Sequence, residues 1–193
     1  MSRARWTSLS AESRSLGGPV CTQYSIARTT GPPRDLLSAD KLVQRALLIM
    51  SYFGSEKKAV HWAFENPQTG MLKTRDIVAG LPFFDTSYCK YGYPYRKTTR
   101  IWTSLALQLR SPCSVHDACS VLAGRRHPQT AQQSRRGGDP TDRNNTCSRE
   151  QLYRIPDELC DEIARAANDC VRENGSRERT HAPSPLRQIQ EVL

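Results

Sequence analysis

Three groups of residues have types and spacing that could do chemistry. The first is Cys21, which follows Gly17-Gly18-Pro19-Val20 and precedes Thr22-Gln23-Tyr24-Ser25. A Gly-Gly-Pro loop can present a thiol at a turn. The thiolate form of such a Cys is a nucleophile. The plainer reading is a small buried apolar side chain. The second group lies between Trp62 and Trp102. There Glu65-Asn66-Pro67 follows the apolar run Val60-His61-Trp62-Ala63-Phe64, and Arg96-Lys97-Thr98-Thr99-Arg100 precedes the apolar Ile101-Trp102. A carboxylate at the carboxyl end of a buried strand is where an open α/β sheet places its chemistry. The plainer readings are a carboxylate that caps the next turn and, for Arg96 and Arg100, solvated charges on an edge strand. The third group is Cys113-x-x-His116-x-x-Cys119, followed by His127. These are zinc-ligand types. Their spacing matches no common finger, and a polar loop with scattered thiols is the alternative.

The neighbouring sequence shows how these groups are carried. Ser38 is a suitable N-cap for a helix from about Ala39 to Phe53. Leu42, Val43, Ala46, Leu47, Met50 and Phe53 share one face at helical spacing. Asp40 sits in the first turn, where it suits the helix dipole, and Gly54 ends the helix. The order is then Cys loop, helix, strand, Glu-Asn-Pro. It fits half of a doubly wound sheet with Cys21 and Glu65 at the same carboxyl edge. A second helix is expected from Pro156 to about Asn174. Asp157 and Glu158 lie in its first turn, Leu159, Ile163, Ala167, Cys170 and Val171 form its apolar face, and Gly175 ends it.

Composition bounds the rest. A chain of 193 residues is one domain, or one domain with a tail. The divisions expected are a polar segment 1–16, a domain 17–123, a flexible basic loop 124–150, a C-terminal helix 151–175 packing on the domain, and a loose tail 176–193. Net charge is +9, which favours a polyanionic partner such as a nucleic acid. No apolar run reaches the ~18 residues that span a membrane. The first residues, MSRARWTSLSAESRS, lack the apolar core of a secretory signal, so an intracellular site is expected, in a nucleus or a host or bacterial cytoplasm. The 7 cysteines then read as reduced thiols.

Two blocks carry a resemblance to a known family. PVCTQYSIART…RDL resembles the Pro-Pro-Cys nucleophile loop of DNA cytosine-5 methyltransferases, in the variant that continues Thr-Glu-Tyr-Ser. WAFENPQTGMLKTR…YCKYGYPYRKTTRIW resembles their Glu-Asn-Val strand end and the Arg-rich strand that follows. GRRHPQTAQQ and LYRIPDELCDEI are similar to the tail of the compact forms found in phages, algal viruses and protists. The resemblance covers roughly residues 17–170 and is to the C-terminal part of such an enzyme. It implies an α/β fold, namely a partial doubly wound, Rossmann-like methyltransferase sheet without its N-terminal cofactor-binding strands. It implies methyl transfer from S-adenosylmethionine to carbon 5 of cytosine in DNA. Cys21 would add to carbon 6, Glu65 would serve ring nitrogen 3, and Arg100, with Arg96 nearby, would hold the base and its charge. Val20, Gln23 and Thr98 depart from the family pattern.

Only 20 residues precede Cys21, and none reads as a strand followed by a glycine loop and a helix. The chain is therefore expected to be truncated and inactive alone, with a missing N-terminal half or second chain as partner. An isolated half-sheet would expose apolar surface and self-associate. The alternative is a non-catalytic nucleic-acid-binding protein with a Cys/His zinc site.

Overall fold

The computed structural model describes residues 14–17, 21–26, 28–55, 61–131 and 149–176. The expectations for residues 1–13, Val60, the centre of the basic loop and the tail beyond 176 lie outside the described residues. The elements in chain order are β1 (Arg14–Gly17), α1 (Leu36–Ser55), β2 (His61–Pro67), β3 (Phe83–Ser87), β4 (Thr98–Thr103), α2 (Arg149–Tyr153) and α3 (Asp157–Ser176), with short 3-10 turns at Met71–Thr74, Asp76–Val78 and Tyr88–Tyr91.

Alternation along β2 and β4 sets the architecture, because successive side chains of a strand point to opposite faces. Trp62, Phe64 and Trp102 point one way and stack, with centroids 5.9 and 5.0 Å apart. With Leu72, Val78, Leu81 and Tyr24 they form a core against Ala39, Val43, Leu47 and Met50 of α1. Ala63 and Ile101 point the other way. They meet Tyr88, Tyr91, Tyr95, Leu105 and Leu107, and then Leu159, Ile163 and Ala167 of α3. Both faces of the sheet are thus covered, which removes the exposed apolar face expected of a half-sheet. The edges are β1 and β3.

The strand order is β1-β2-β4-β3. β1 runs parallel to β2, with Gly17 opposite Phe64, and α1 connects them. This is the βαβ arrangement read from the sequence. The other two pairings, β2 with β4 and β4 with β3, are antiparallel. The fold is therefore α/β with a mixed sheet of four described strands. β3 was not foreseen, because the turn-rich run around Gly80 and Pro82 hid the short Phe83–Ser87 strand.

Several boundaries moved. Asp35 replaces Ser38 as the cap of α1, since its carboxylate accepts the Ser38 N–H at 2.9 Å. That starts the helix earlier, at Leu36, while Leu42 lies off the buried face of Val43, Leu47 and Met50 and is 60% exposed. Glu65, Asn66 and Pro67 lie within β2 rather than after it, and Thr98, Thr99 and Arg100 lie within β4. Gly175 falls inside α3 and does not end it, while Pro156 stands just before the helix. Arg14 to Leu16, read as part of a polar segment, pair as β1.

Candidate active site and cysteine–histidine cluster

The Cys21 turn is built by its neighbours. The Tyr24 N–H donates to the Cys21 carbonyl at 3.1 Å, which closes a tight turn. Tyr24 is fully buried, and its carbonyl accepts the Met71 N–H at 2.8 Å. Its hydroxyl donates to Asp40 at 2.8 Å, and Asp40 in turn takes two guanidinium contacts from Arg75 at 2.6 and 3.0 Å. Asp40 therefore anchors the cysteine loop to α1 and, because the helix begins at Leu36, lies beyond the first turn in which the sequence placed it. Gln23 accepts from Arg28 at 2.6 Å and from the Asp35 N–H at 3.1 Å, so it joins the loop to the cap of α1. Gly70 lets this loop approach the end of β2. A Cβ there would lie 3.0 Å from the Pro67 carbonyl and 3.4 Å from those of Tyr24 and the Asn66 side chain.

Glu65 projects from the α3 face of β2. Three donors converge on its Oε1: the Thr99 hydroxyl at hydrogen-bond distance, the Tyr88 hydroxyl at 3.3 Å and the Lys97 ammonium at 3.6 Å. Lys97 also donates to Tyr88 at 3.2 Å and to the Leu152 carbonyl of α2 at 3.0 Å, and it lies 4.4 Å from the Tyr88 ring centre. The Cys21 thiol lies within electrostatic reach of this group. Burial raises its pKa above the ordinary value, the Glu65 charge raises it further, and Lys97 opposes both. The structure therefore brings together Cys21, Glu65, Lys97, Thr99 and Tyr88.

The two arginines singled out in the sequence lie elsewhere. Arg100 forms a two-point ion pair with Asp85 of β3 at 2.7 and 2.8 Å and stacks over the Phe83 ring at 3.5 Å. It is one residue out of phase with Thr99, so it points to the opposite face from Glu65. Arg96 is exposed, and its charge acts on His127. The cation beside Glu65 is Lys97, between the two arginines that the sequence pattern points to. Its odd-numbered spacing with Thr99 and Ile101 was the signal that could have found it.

The cysteine–histidine group also differs from the sequence-derived set. Cys89, Cys113, Cys119 and His127 gather with one ligand atom from each inside a 4.8 Å limit. His127 Nε2 is 3.3 Å from Cys119 Sγ and 3.8 Å from Cys113 Sγ. His116 stands outside, exposed, where its N–H caps the turn at Ser114. Cys89 takes the fourth place from a turn remote in sequence, which local spacing could not reveal.

Comparison with known proteins bears out the resemblance. No family model matches the chain. The chain is similar to a probable DNA (cytosine-5)-methyltransferase of Frog virus 3 (isolate Goorha). The two are 30% identical over 129 residues, 63% of this chain. The match spans 55% of that relative's length, so the chain corresponds to about half of it. Among the described residues, no helix is long and apolar enough to cross a membrane.

Proposed function

We propose that the chain is the catalytic-residue half of a DNA cytosine-5 methyltransferase, with Cys21 as nucleophile and Glu65 as the group that serves ring nitrogen 3. What carries this is the action of the Glu65 and Lys97 charges on the Cys21 thiol, with the cysteine turn tied through the Tyr24 carbonyl to Met71 just beyond β2. The viral relative supports the same reading.

Cytosine carbon 5 is a poor nucleophile. Addition of the Cys21 thiolate to carbon 6 makes carbon 5 enamine-like. A proton donated by the Glu65 carboxyl to nitrogen 3 would neutralise the negative charge that the addition places on nitrogen 3 and the carbonyl, leaving the Glu65 carboxylate paired with Lys97. Glu65 acts electrostatically on the thiol, and its Oε1 is already bound by Thr99, Tyr88 and Lys97. Those three donors fix the carboxyl so that it can face the Watson–Crick edge of a base. Lys97 supplies the nearby positive charge that the arginines were expected to give. The base would have to leave the duplex to reach these groups.

S-adenosylmethionine would supply the methyl group. The described residues contain no glycine-rich turn between a strand and a helix that would hold it, so the chemistry assigned to these residues ends at the activated base. A missing half or second chain would bring the donor. The alternative, a non-catalytic nucleic-acid-binding protein with a Cys/His zinc site, gives Cys21 no role.

The test needs no methyl donor. An enamine at carbon 5 exchanges its hydrogen with solvent before the thiol is eliminated. The chain incubated with cytosine-containing single-stranded DNA in deuterated water should introduce deuterium at carbon 5, read by mass spectrometry of the nucleosides. Cys21→Ser should abolish this. Exchange that persists in Cys21→Ser, or that is absent from the folded wild-type chain, would overturn the covalent step.

A further inference from the structure

We infer that Cys89, Cys113, Cys119 and His127 bind one zinc ion, and that the ion fixes the turn carrying Tyr88 against Glu65. The donor set is Cys3His, a common structural-zinc combination. Tetrahedral zinc with bonds of about 2.3 Å to sulfur and about 2.0 Å to nitrogen sets neighbouring ligand atoms about 3.5 Å apart. The two separations from His127 Nε2, 3.3 and 3.8 Å, bracket that value. The three sulfurs are buried, two from the Cys113–Cys119 loop and one from the separate turn at Cys89.

The scaffold around the ligands is already closed. Lys90 pairs with Asp117 and donates to the Ala118 carbonyl at 3.2 Å, which binds the Cys89 turn to the Cys113–Cys119 loop. The Cys113 N–H donates to the Ser87 hydroxyl at 3.2 Å. A tight turn at Ala123 and Arg126, with Gly124 at φ 65°, brings His127 back. Binding would release three thiol protons to solvent and leave a net charge of about −1 on the four-ligand site.

The site also has a mechanical consequence. Cys89 follows Tyr88 directly, and Tyr88 donates to Glu65. A metal bond at Cys89 would hold the Tyr88–Tyr91 turn in register with β2, although the ion is not in contact with the reacting groups. Tyr88 is thereby a positioning residue. This inference stands whether or not Cys21 proves to be a nucleophile.

The full chain, purified in reducing buffer without chelator, should contain about one zinc per molecule by elemental analysis. Cys89→Ser and Cys119→Ser should lose it, while His116→Ala should keep it. Cobalt(II) added to the metal-stripped wild-type chain should give the visible bands of a tetrahedral ion with a thiolate charge-transfer band, a readout that does not depend on any variant folding. Zinc removal should raise hydrogen exchange in residues 87–91 and leave α1 unchanged. A zinc-free wild-type chain that gives no thiolate–cobalt band would overturn the site. So would retention of zinc by Cys89→Ser together with its loss from His116→Ala. Uniform exchange after zinc removal would overturn the link to Tyr88.

Discussion

The two faces of the sheet, built from alternate residues of the same strands, have opposite characters. The α1 face carries Trp62, Phe64 and Trp102 in a stacked row, with the Arg100–Asp85 pair at its edge. The α3 face carries Ala63, Glu65, Thr99 and Ile101, with hydroxyls and an ammonium from Tyr88 and Lys97. One face is held by apolar area and aromatic contact. The other carries a polar network around one carboxylate. Strand parity rather than nearness in sequence decides which residues can act together. Arg100 is adjacent to Thr99 in the chain and yet on the other side of the sheet from Glu65.

The largest expected effect attacks the aromatic face. Trp102→Ala removes a side chain that is 1% exposed and stacked on Phe64. It should cost about 3–5 kcal/mol, measured by chemical denaturation. A loss near zero would mean that the aromatic row is not the principal core. Next comes the ion pair at that face's edge. Asp85→Ala leaves the Arg100 guanidinium, 14% exposed, without its carboxylate. It should cost about 1–3 kcal/mol. The double variant Asp85→Leu with Arg100→Met should lose less than Asp85→Ala alone, because an apolar pair leaves no stranded charge. A double variant less stable than the single one would show that the pair contributes net stability.

Much of this arrangement was legible in the sequence. The helical spacing of Val43, Leu47 and Met50 marked the inward face of α1, and Leu159, Ile163 and Ala167 marked that of α3. The adjacency of the cysteine loop and Glu65 followed from the order of loop, helix and strand. Other features were not legible for identifiable reasons. Asp35 and Ser38 are both good caps, and the Ser38 N–H donating to Asp35 selects the earlier start of α1. β3 is short and broken from helical or strand periodicity by Pro82. Cys89 joins Cys113, Cys119 and His127 through a long-range contact, which spacing within one loop cannot encode. The role of Lys97 was hidden by chemistry rather than distance, because two arginines beside it matched a familiar pattern. Counting parity from Ile101 through Thr99 would have separated Lys97 from Arg100.

The smallest effects sharpen the comparison most, since they ask whether the two faces are electrostatically separate. Burial is the first cause of the raised pKa of Cys21, and the charges of Glu65 and Lys97 modulate it in opposite directions. The rate of alkylation by iodoacetamide should therefore rise with pH through a midpoint above that of an exposed thiol. Glu65→Gln removes a negative charge that favours the protonated thiol, so the midpoint should fall and alkylation at mildly alkaline pH should speed up. Lys97→Met removes the opposing positive charge, so the midpoint should rise and alkylation should slow. Arg100→Met changes a charge of the same sign as Lys97 on the other face and should leave the midpoint where it was. Each shift should be smaller than the one burial imposes, because burial acts on the thiol directly while the carboxylate and ammonium already screen each other at 3.6 Å. If Arg100→Met moved the midpoint as far as Lys97→Met, parity would not separate the faces electrically. Lys97 would then lose its standing as the cation of the Cys21–Glu65 group.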